Sequence, residues 1–277
     1  MLSLAMLSAL LWLCLLLTPW RPWLVRETLD HDAPLEEDLS DVVALVPARN
    51  EAGAIARTLT ALSSQGPGLK IVVVDDQSDD DTKDVVEGLR LPDVTLIHGG
   101  PLPDGWTGKV WAQAQGQSEL NRPLTLLLDA DVELAPGVLA ALKATRRQKR
   151  VALASLMVEL PMSNLWERLL LPAFVYFFRL LYPFALANDP HTRVAAAAGG
   201  CVLMETREIQ NLGGFDALRS ALIDDCTLAR LVKLGGGGTW IGLTRRARSQ
   251  RRYPRLADIW GMVARTAFTQ LRHSVLL

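Results

Sequence analysis

The stretch Leu126-Leu127-Leu128-Asp129-Ala130-Asp131 determines how the rest of the sequence is interpreted. Three consecutive leucines predict a buried strand, and a core strand has no structural reason to end in two carboxylates. Because side chains alternate in direction along an extended chain, Asp129 and Asp131 are expected to project to the same side. Mg2+ and Mn2+ prefer oxygen ligands and reach substrate phosphates through one or two carboxylates. The motif therefore predicts a metal–diphosphate site, although such triplets are also common in polar turns.

Short apolar runs alternate with helical stretches around this motif. Strands are predicted at 42–46, 69–74, 94–97 and 124–128, and helices at 52–62, 82–89 and 110–118. This order predicts an α/β fold with a parallel sheet and right-handed crossovers. Ligands of such sheets bind beyond the carboxyl ends of the strands, so the polar residues that follow each strand are the candidates for a site.

Three of the predicted strands end in acidic residues. The first is followed by Arg49 and Glu51, the second by Asp75 and Asp76, and the fourth by the Asp-x-Asp motif. Three acidic strand ends at one edge of a sheet suit a sugar nucleotide, with carboxylates on the ribose and base and a metal on the diphosphate. The residues 78–81 are interpreted instead as a helix N-cap with an acidic first turn.

Composition excludes some classes of protein. The chain has 277 residues, a net charge of −1 and 49% hydrophobic residues. It is long enough for one large domain or two small ones, and it is neither basic enough for nucleic-acid binding nor polar enough for disorder.

The N-terminal residues are apolar and uncharged from Met1 to Leu17. Together with Trp20 they approach the roughly 20 residues that span a bilayer, so 1–20 is predicted to be a transmembrane signal anchor. A cleaved signal peptide is the alternative, but no basic n-region precedes the segment and no small-x-small site follows. Arg21 and Arg26 then place the catalytic domain on the cytoplasmic side of the inner membrane. Residues 21–41, which are acidic towards their end, are interpreted as a linker.

Several ordered motifs resemble family 2 glycosyltransferases with the GT-A fold, over residues 42–240. The motifs are Val46-Pro47-Ala48-Arg49-Asn50-Glu51, Val74-Asp75-Asp76-Gln77-Ser78, Asp129-Ala130-Asp131, Gly199-Gly200-Cys201-Val202-Leu203-Met204, Gly213-Gly214-Phe215-Asp216 and Asp224-Asp225-Cys226-Thr227-Leu228-Ala229. The segment 105–112 and the terminal apolar segment look most like the hopene-associated subgroup. The resemblance implies a Rossmann-like, mostly parallel sheet flanked by helices, forming a catalytic domain at 42–247.

The resemblance also implies roles for individual residues. The metal, Mg2+ or Mn2+, would lie on Asp131, with Asp129 nearer the ribose, and Asp225 would be the general base. The residues implied to bind substrate are Pro47, Arg49, Glu51, Asp76, Lys109, Asp129, Asp224 and Arg252. Two of these have structural alternatives: Lys109 as a solvated lysine at a helix start, and Asp224 as a helix cap.

The segment around Arg252 departs from the family pattern. Processive and ceramide-type relatives carry a Gln/Arg-x-x-Arg-Trp element, whereas this chain has Ser249 at the first position and Tyr253 at the last. The departure argues against a processive enzyme, although the basic cluster is still expected to help hold the diphosphate leaving group.

Two further apolar stretches point to the acceptor. The run 165–184 is aromatic, and Pro172 and Pro183 are expected to divide it into interfacial helices, with a buried core helix as the alternative. Residues 248–277 are interpreted as a membrane-proximal basic and amphipathic segment, naturally short or truncated before further membrane helices. Both stretches favour a lipid acceptor at a membrane.

The expected function is that of a membrane-associated inverting glycosyltransferase that moves a sugar from a nucleotide-diphosphate sugar, UDP-linked, to a lipid hydroxyl such as that of a hopanoid. Transfer to a polyprenyl phosphate is one alternative. A non-catalytic nucleotide-sugar or lipid-binding scaffold is the other.

Overall fold

The computed structural model describes residues 2–21, 23–30, 37–219, 221 and 224–270, with only the backbone for 2, 3, 224 and 265–270. The α-helices are α1 Leu2–Leu16, α2 Ile55–Ser63, α3 Thr82–Gly88, α4 Gly108–Gln115, α5 Val138–Lys149, α6 Leu165–Leu181, α7 Phe184–Ala187, α8 Thr206–Asn211, α9 Asp224–Leu234 and α10 Leu256–Gln270. The strands are β1 Val42–Ala48, β2 Lys70–Asp75, β3 Val94–His98, β4 Leu124–Leu128, β5 Val132–Leu134, β6 Leu153–Glu159, β7 Cys201–Glu205 and β8 Thr239–Ser249. Short 3-10 helices cover Gln117–Glu119 and Phe215–Leu218.

The first half of the chain folds as its apolar pattern predicts. β3, β2, β1 and β4 lie side by side in that order, and all three pairings are parallel. Each of these strands lies within two residues of its predicted position. The α/β prediction is therefore confirmed, and the carboxyl ends of β1, β2 and β4 meet at one edge of the sheet.

The second half makes the sheet mixed, which corrects the expectation of a mostly parallel sheet. Over the described residues the order continues from β4 through β7, β6 and β8 to β5. β7 runs antiparallel to both β4 and β6, β8 is parallel to β6, and β5 is antiparallel to β8. In the β4–β7 register Leu128 pairs with Cys201, so the backbone before β7 lies directly beside the Asp-x-Asp turn.

Helices cover both faces of the sheet, and alternate residues of each central strand face opposite layers. Val42, Ala44 and Val46 of β1 pack in the core with α2 and α5. Val43 and Leu45 pack in the core with α4, α8 and α9. All five residues are fully buried, which accounts for the uninterrupted apolar run of a strand covered on both sides.

Helix α1 is apolar but short. Its 15 residues extend for about 22 Å, less than the roughly 30 Å of a bilayer core. No helix in the described part of the chain combines the length and the apolar character needed to cross a membrane. The structure therefore does not support the transmembrane helix predicted at 1–20.

Part of the predicted linker packs onto the sheet. Leu29 donates its backbone N–H to the carbonyl of Leu243 at 2.9 Å, and Leu243 donates in turn to Glu27 at 2.8 Å. The hydroxyl of Thr244 donates to the carbonyl of Leu29 at 2.7 Å. Residues 27–29 thus lie along β8 and attach the segment after α1 to the folded domain.

Helix α6 runs unbroken through Pro172, so the expectation that this proline divides the segment was wrong. Asn164 and Glu167 form a capping box at its start. Proline removes one N–H and crowds the carbonyl four residues earlier, but Leu171 and Phe178 are buried and hold the helix against the domain. Pro183 lies just beyond its end, where a proline is well tolerated.

Candidate active site

A cleft of about 570 Å³ lies at the carboxyl ends of β1, β2 and β4. Most of the residues singled out from the sequence line it. These are Pro47, Arg49, Glu51, Asp76, Lys109, Asp129, Asp131 and Asp225. The structure thus brings together residues that are up to 178 positions apart in the chain, from Pro47 to Asp225.

The two carboxylates of the Asp-x-Asp turn have different surroundings. Asp131 is buried, with 7% of its surface exposed. Its Oδ2 accepts a hydrogen bond from the hydroxyl of Ser249 at 2.8 Å and lies 3.6 Å from Nε of Arg251. Asp129 is more exposed and pairs with Nζ of Lys109 at 2.7 Å. Asp131 is therefore a buried carboxylate that contacts both Ser249 and Arg251, whereas Asp129 is the more accessible of the two.

Lys109 bridges two parts of the cleft. Besides its ion pair with Asp129, its Nζ donates to the carbonyl oxygen of Gly199 at 3.3 Å. The side chain thus turns into the cleft, as expected of a residue that faces the donor, and not towards bulk solvent.

The loop after β1 is held by the loop after β2. Asn50 adopts a left-handed conformation with φ 55°, and its backbone N–H donates to the hydroxyl of Ser78 at 2.9 Å. Glu51 donates its backbone N–H to the hydroxyl of Thr82 at 2.8 Å. The acidic stretch interpreted as a plain helix cap therefore also fixes Glu51 at the mouth of the cleft.

Glu51 is placed among other carboxylates. It pairs with Arg251 at 2.5 Å. Burial raises the pKa of Glu51, Arg251 opposes the rise, and the charges of Asp131 and Asp129 add to it. Because burial is the largest cause of the rise, the pKa of Glu51 reflects mainly the loss of water around its carboxylate, which Arg251 only partly offsets.

Asp76 lies on the other side of the donor end. Burial raises its pKa, against the effect of Arg49, whose guanidinium nitrogen lies 3.7 Å from Oδ2. A side chain at Gly108 would begin 3.1 Å from the same oxygen, so glycine lets α4 start close to Asp76. Its neighbour Asp75 is buried and carries an Oδ1 that has no hydrogen-bond partner in the described structure.

Asp225 lies in the first turn of α9. Its Oδ2 accepts the backbone N–H of Gly199 at 2.6 Å, and its Oδ1 accepts that of Cys226 at 2.7 Å. A Cβ on Gly199 would lie 3.1 Å from both Asp225 Oδ2 and Lys109 Nζ, so only glycine fits here without displacing them. The side chain of Asp224, also predicted to bind substrate, lies outside the described residues.

Of the two adjacent arginines 251 and 252, it is Arg251 that lines the cleft together with Arg49. Ser249, Arg251 and Tyr253 line it, whereas the predicted Arg252 is not among the lining residues; both arginines are exposed. Alternate residues of an extended segment face opposite sides, which is consistent with this pattern, and a role for Arg252 in substrate binding stays a prediction.

An apolar wall forms the other end of the cleft. It consists of Met157 and Leu160 at the end of β6 and of Phe174 and Phe178 on α6. Phe178 packs against Tyr182, with ring centroids 5.2 Å apart. Burial raises the pKa of Tyr182 to about 12, and the neighbouring Cys226 and Asp225 add to the rise. Asp225 accepts a hydrogen bond from Gly199, just before β7, and β7 lies between β4, which carries the Asp-x-Asp turn, and β6, which carries Met157. The sequence identified the aromatic run but not its place in the cleft.

The net negative charge of the residues that line the cleft equals the charge that one divalent cation would neutralise. Five carboxylates and three basic side chains line it, an excess of two negative charges. In the described part of the chain no group of three or more His, Cys, Asp or Glu side chains is arranged to hold a metal ion. A cation beside Asp131 would therefore take most of its ligands from substrate oxygens and water, which is how Mg2+ usually binds with phosphates.

Comparisons with known proteins agree with this geometry. The family model described as "Glycosyltransferase like family 2" matches residues 40–266. A curated relative, 4,4'-diaponeurosporenoate glycosyltransferase of Staphylococcus haemolyticus, is 32% identical over 112 residues, which are 39% of this chain and only 29% of the relative.

Solved structures share the fold at low sequence identity. The mannosyltransferase PcManGT of Pyrobaculum calidifontis, in complex with GDP-Man and Mn2+, superposes with a TM-score of 0.63 at 19% identity, over 94% of this chain and 69% of that one. Glucosyl-3-phosphoglycerate synthase of Mycobacterium tuberculosis, in complex with Mn2+, UDP and phosphoglyceric acid, gives 0.56 at 14% identity, over 90% and 86%. These likenesses establish a GT-A-like fold.

Proposed function

The chain belongs to the glycosyltransferase family 2-like proteins, and we propose that it moves a sugar from a nucleotide-diphosphate sugar to a lipid hydroxyl at a membrane surface. One observation carries the proposal: a single cleft has carboxylates at one end and an apolar aromatic wall at the other, with Asp225 between them. Such a cleft suits a polar donor and an apolar acceptor that meet at one carboxylate.

The charged end suits the donor. Glu51 and Asp76, which both line the cleft, would accept hydrogen bonds from the base and ribose, and UDP is the proposed carrier. Lys109 and Arg251 lie beside Asp129 and Asp131 and would contact the diphosphate, as guanidinium and ammonium groups commonly do. The two structural relatives were solved with GDP-Man and with UDP, which supports a nucleotide diphosphate in this cleft.

Asp131, with Asp129 beside it, would hold Mg2+ or Mn2+. When bound, such an ion neutralises the negative charge that develops on the departing diphosphate. The excess negative charge of the cleft and the structural relatives with Mn2+ support this assignment.

Asp225 is the proposed general base. It would take the proton of the acceptor hydroxyl as the oxygen forms a bond to the anomeric carbon, while the bond from that carbon to the diphosphate oxygen breaks. Attack from the face opposite the leaving group inverts the anomeric configuration. Hydrogen bonds from Gly199 and Cys226 fix the carboxylate for this role.

The apolar wall supports a lipid acceptor. Phe174 and Phe178 line the same cleft as Asp225, and α1 exposes leucines along its described length, from Leu4 to Leu16. The curated relative is a 4,4'-diaponeurosporenoate glycosyltransferase by name, and its lipid-like acceptor supports a lipid acceptor for this chain. We place the enzyme at the inner membrane, with its catalytic domain in the cytoplasm, and take hopanoids as the first acceptors to test.

The test is to incubate the full chain with lipid extracts and a panel of UDP- and GDP-sugars, and to identify the labelled lipid by mass spectrometry. A glycolipid with an O-glycosidic bond, whose anomeric configuration is opposite to that of the donor, is the expected product. A sugar attached to a polyprenyl phosphate, formed equally well by Asp225→Asn, would instead indicate an acceptor that needs no base.

A further inference from the structure

A second, smaller cavity lies where the segment after α1 meets α6 and α7. It has a volume of about 80 Å³, and its polar and aromatic lining consists of Trp20, Arg21, Arg26, Glu27, Arg179 and Phe184. We refer to this cavity, with these lining residues, as the basic hollow. None of them lines the catalytic cleft, so the hollow is separate from the proposed site of sugar transfer.

Arg179 forms the floor of the basic hollow and is 6% exposed. One guanidinium nitrogen donates to the carbonyl oxygen of Leu24, and the cation lies 5.4 Å from the ring centre of Phe184. Its Nε is buried without a hydrogen-bond partner in the described structure. The protein therefore does not use the full hydrogen-bonding capacity of this buried cation, whose positive charge lies at the lining of the hollow.

The hollow is also rich in positive charge. Arg21 and Arg26 are exposed and line it together with Arg179, whereas Glu27 is the one carboxylate in its described lining. Three guanidinium groups against one carboxylate leave two net positive charges. The planar fork of a guanidinium matches the oxygens of a phosphate group, which makes a phosphate the anion that fits best.

The position of the hollow indicates where such a phosphate would come from. It begins directly after α1, whose leucines are exposed, for example Leu11 at 63% and Leu16 at 58%. Because α1 is apolar on every side, lipid is a more favourable surrounding for it than water, and tryptophan beside such a helix is typical of the headgroup level. Trp20, which is 38% exposed, lines the hollow.

We propose that the basic hollow binds the phosphate of an anionic phospholipid headgroup and so orients the domain on the membrane. The proposal does not depend on sugar transfer, because it concerns binding by residues outside the cleft.

The experiment measures how the full chain, purified in detergent, partitions onto vesicles of phosphatidylcholine and onto vesicles that also contain phosphatidylglycerol. The wild-type protein should prefer the anionic vesicles. In R21Q/R26Q this preference should fall about twenty-fivefold, since each basic residue near an anionic surface contributes about fivefold. R147Q/K149Q, which removes two charges from exposed positions on α5, should keep the preference.

A charge-preserving variant distinguishes a specific phosphate-binding site from the general attraction of positive surface charge to an anionic membrane. R21K/R26K retains both charges but loses the guanidinium forks, so a phosphate site predicts a clear loss of preference. Full preference in R21K/R26K, or an equal loss in R147Q/K149Q, would show that surface charge alone is responsible and would overturn the proposal. If inorganic phosphate stabilised the wild type against unfolding but the protein partitioned equally onto the two vesicle types, the bound phosphate would not come from a lipid and the proposal would be overturned.

Discussion

Glu167 connects the start of α6 to the segment that carries Arg251, and we predict that Glu167→Gln weakens both the fold and the cleft. Its Oε1 accepts the backbone N–H of Tyr253 at 2.7 Å. Its Oε2 accepts those of Ser163 at 2.7 Å and Asn164 at 3.3 Å. Glutamine keeps one acceptor oxygen and turns an NH2 group towards at least one of these donors. A buried donor that loses a charged acceptor costs about 1–3 kcal/mol, so we expect a loss of about 2–4 kcal/mol in the free energy of unfolding.

The pH dependence of stability provides a second test of Glu167. Burial alone would raise its pKa, but the three backbone donors and the nearby Arg252 lower it below the ordinary value. A carboxyl whose pKa is lower in the folded state stabilises the protein above the unfolded-state pKa of about 4.3. That contribution is lost as the pH falls through the lower, folded-state pKa. The difference in stability between the wild type and Glu167→Gln should therefore be largest near neutral pH and shrink in acid.

Urea unfolding followed by tryptophan fluorescence, at neutral pH and at several acidic values, measures both effects. Glu87→Gln is the matched control, because Glu87 is exposed on α3 and should change stability by less than about 0.5 kcal/mol. If Glu167→Gln were as stable as the wild type at neutral pH, or if its deficit grew in acid, the assigned hydrogen-bond network would be wrong.

Three further predictions concern single side chains. Arg251→Met should lower kcat/KM on the order of a hundredfold, because it removes the cation beside the Asp-x-Asp turn, whereas Arg252→Met should have little effect in the same steady-state assay. Gly199→Ala should lower kcat about tenfold or more by displacing the proposed base, whereas Gly53→Ala, where a Cβ meets nothing within 4 Å, should leave it unchanged. Lys233→Met should lower the free energy of unfolding by about 2–4 kcal/mol, because Nζ donates to the carbonyl oxygens of Ala187 in α7 at 2.9 Å and of Val194 in the following loop at 2.6 Å. An unchanged urea midpoint would contradict this prediction.

The parallel half of the sheet was predictable because chain order and apolar period both specify it. Runs such as 42–46 and 124–128, separated by helical stretches, allow little other than β-α-β crossovers. The direction of β7 was not predictable in the same way. The apolar run 201–205 reads alike in either direction, and its antiparallel pairing depends on the path of the chain through α6 and α7.

The acidic residues of the cleft were predictable because they follow parallel strands, whose carboxyl ends meet at one edge. Arg251 was not, because it lies two residues beyond the end of β8, and only the path of the chain there shows which of two adjacent arginines lies beside Asp131. Phe174 and Phe178 were noticed as part of an apolar run, but only the packing of α6 over β6 shows that they form a wall of the cleft.

The most direct test of the proposed function is the single-turnover rate of sugar transfer by Asp225→Asn, measured with the donor binding constant on the same preparation. Because a general base contributes about a hundredfold to ten-thousandfold, the rate should fall by that factor while donor affinity stays close to that of the wild type. Transfer to a lipid hydroxyl at a near-wild-type rate would contradict the account, since no carboxylate at position 225 would then be needed to take the proton.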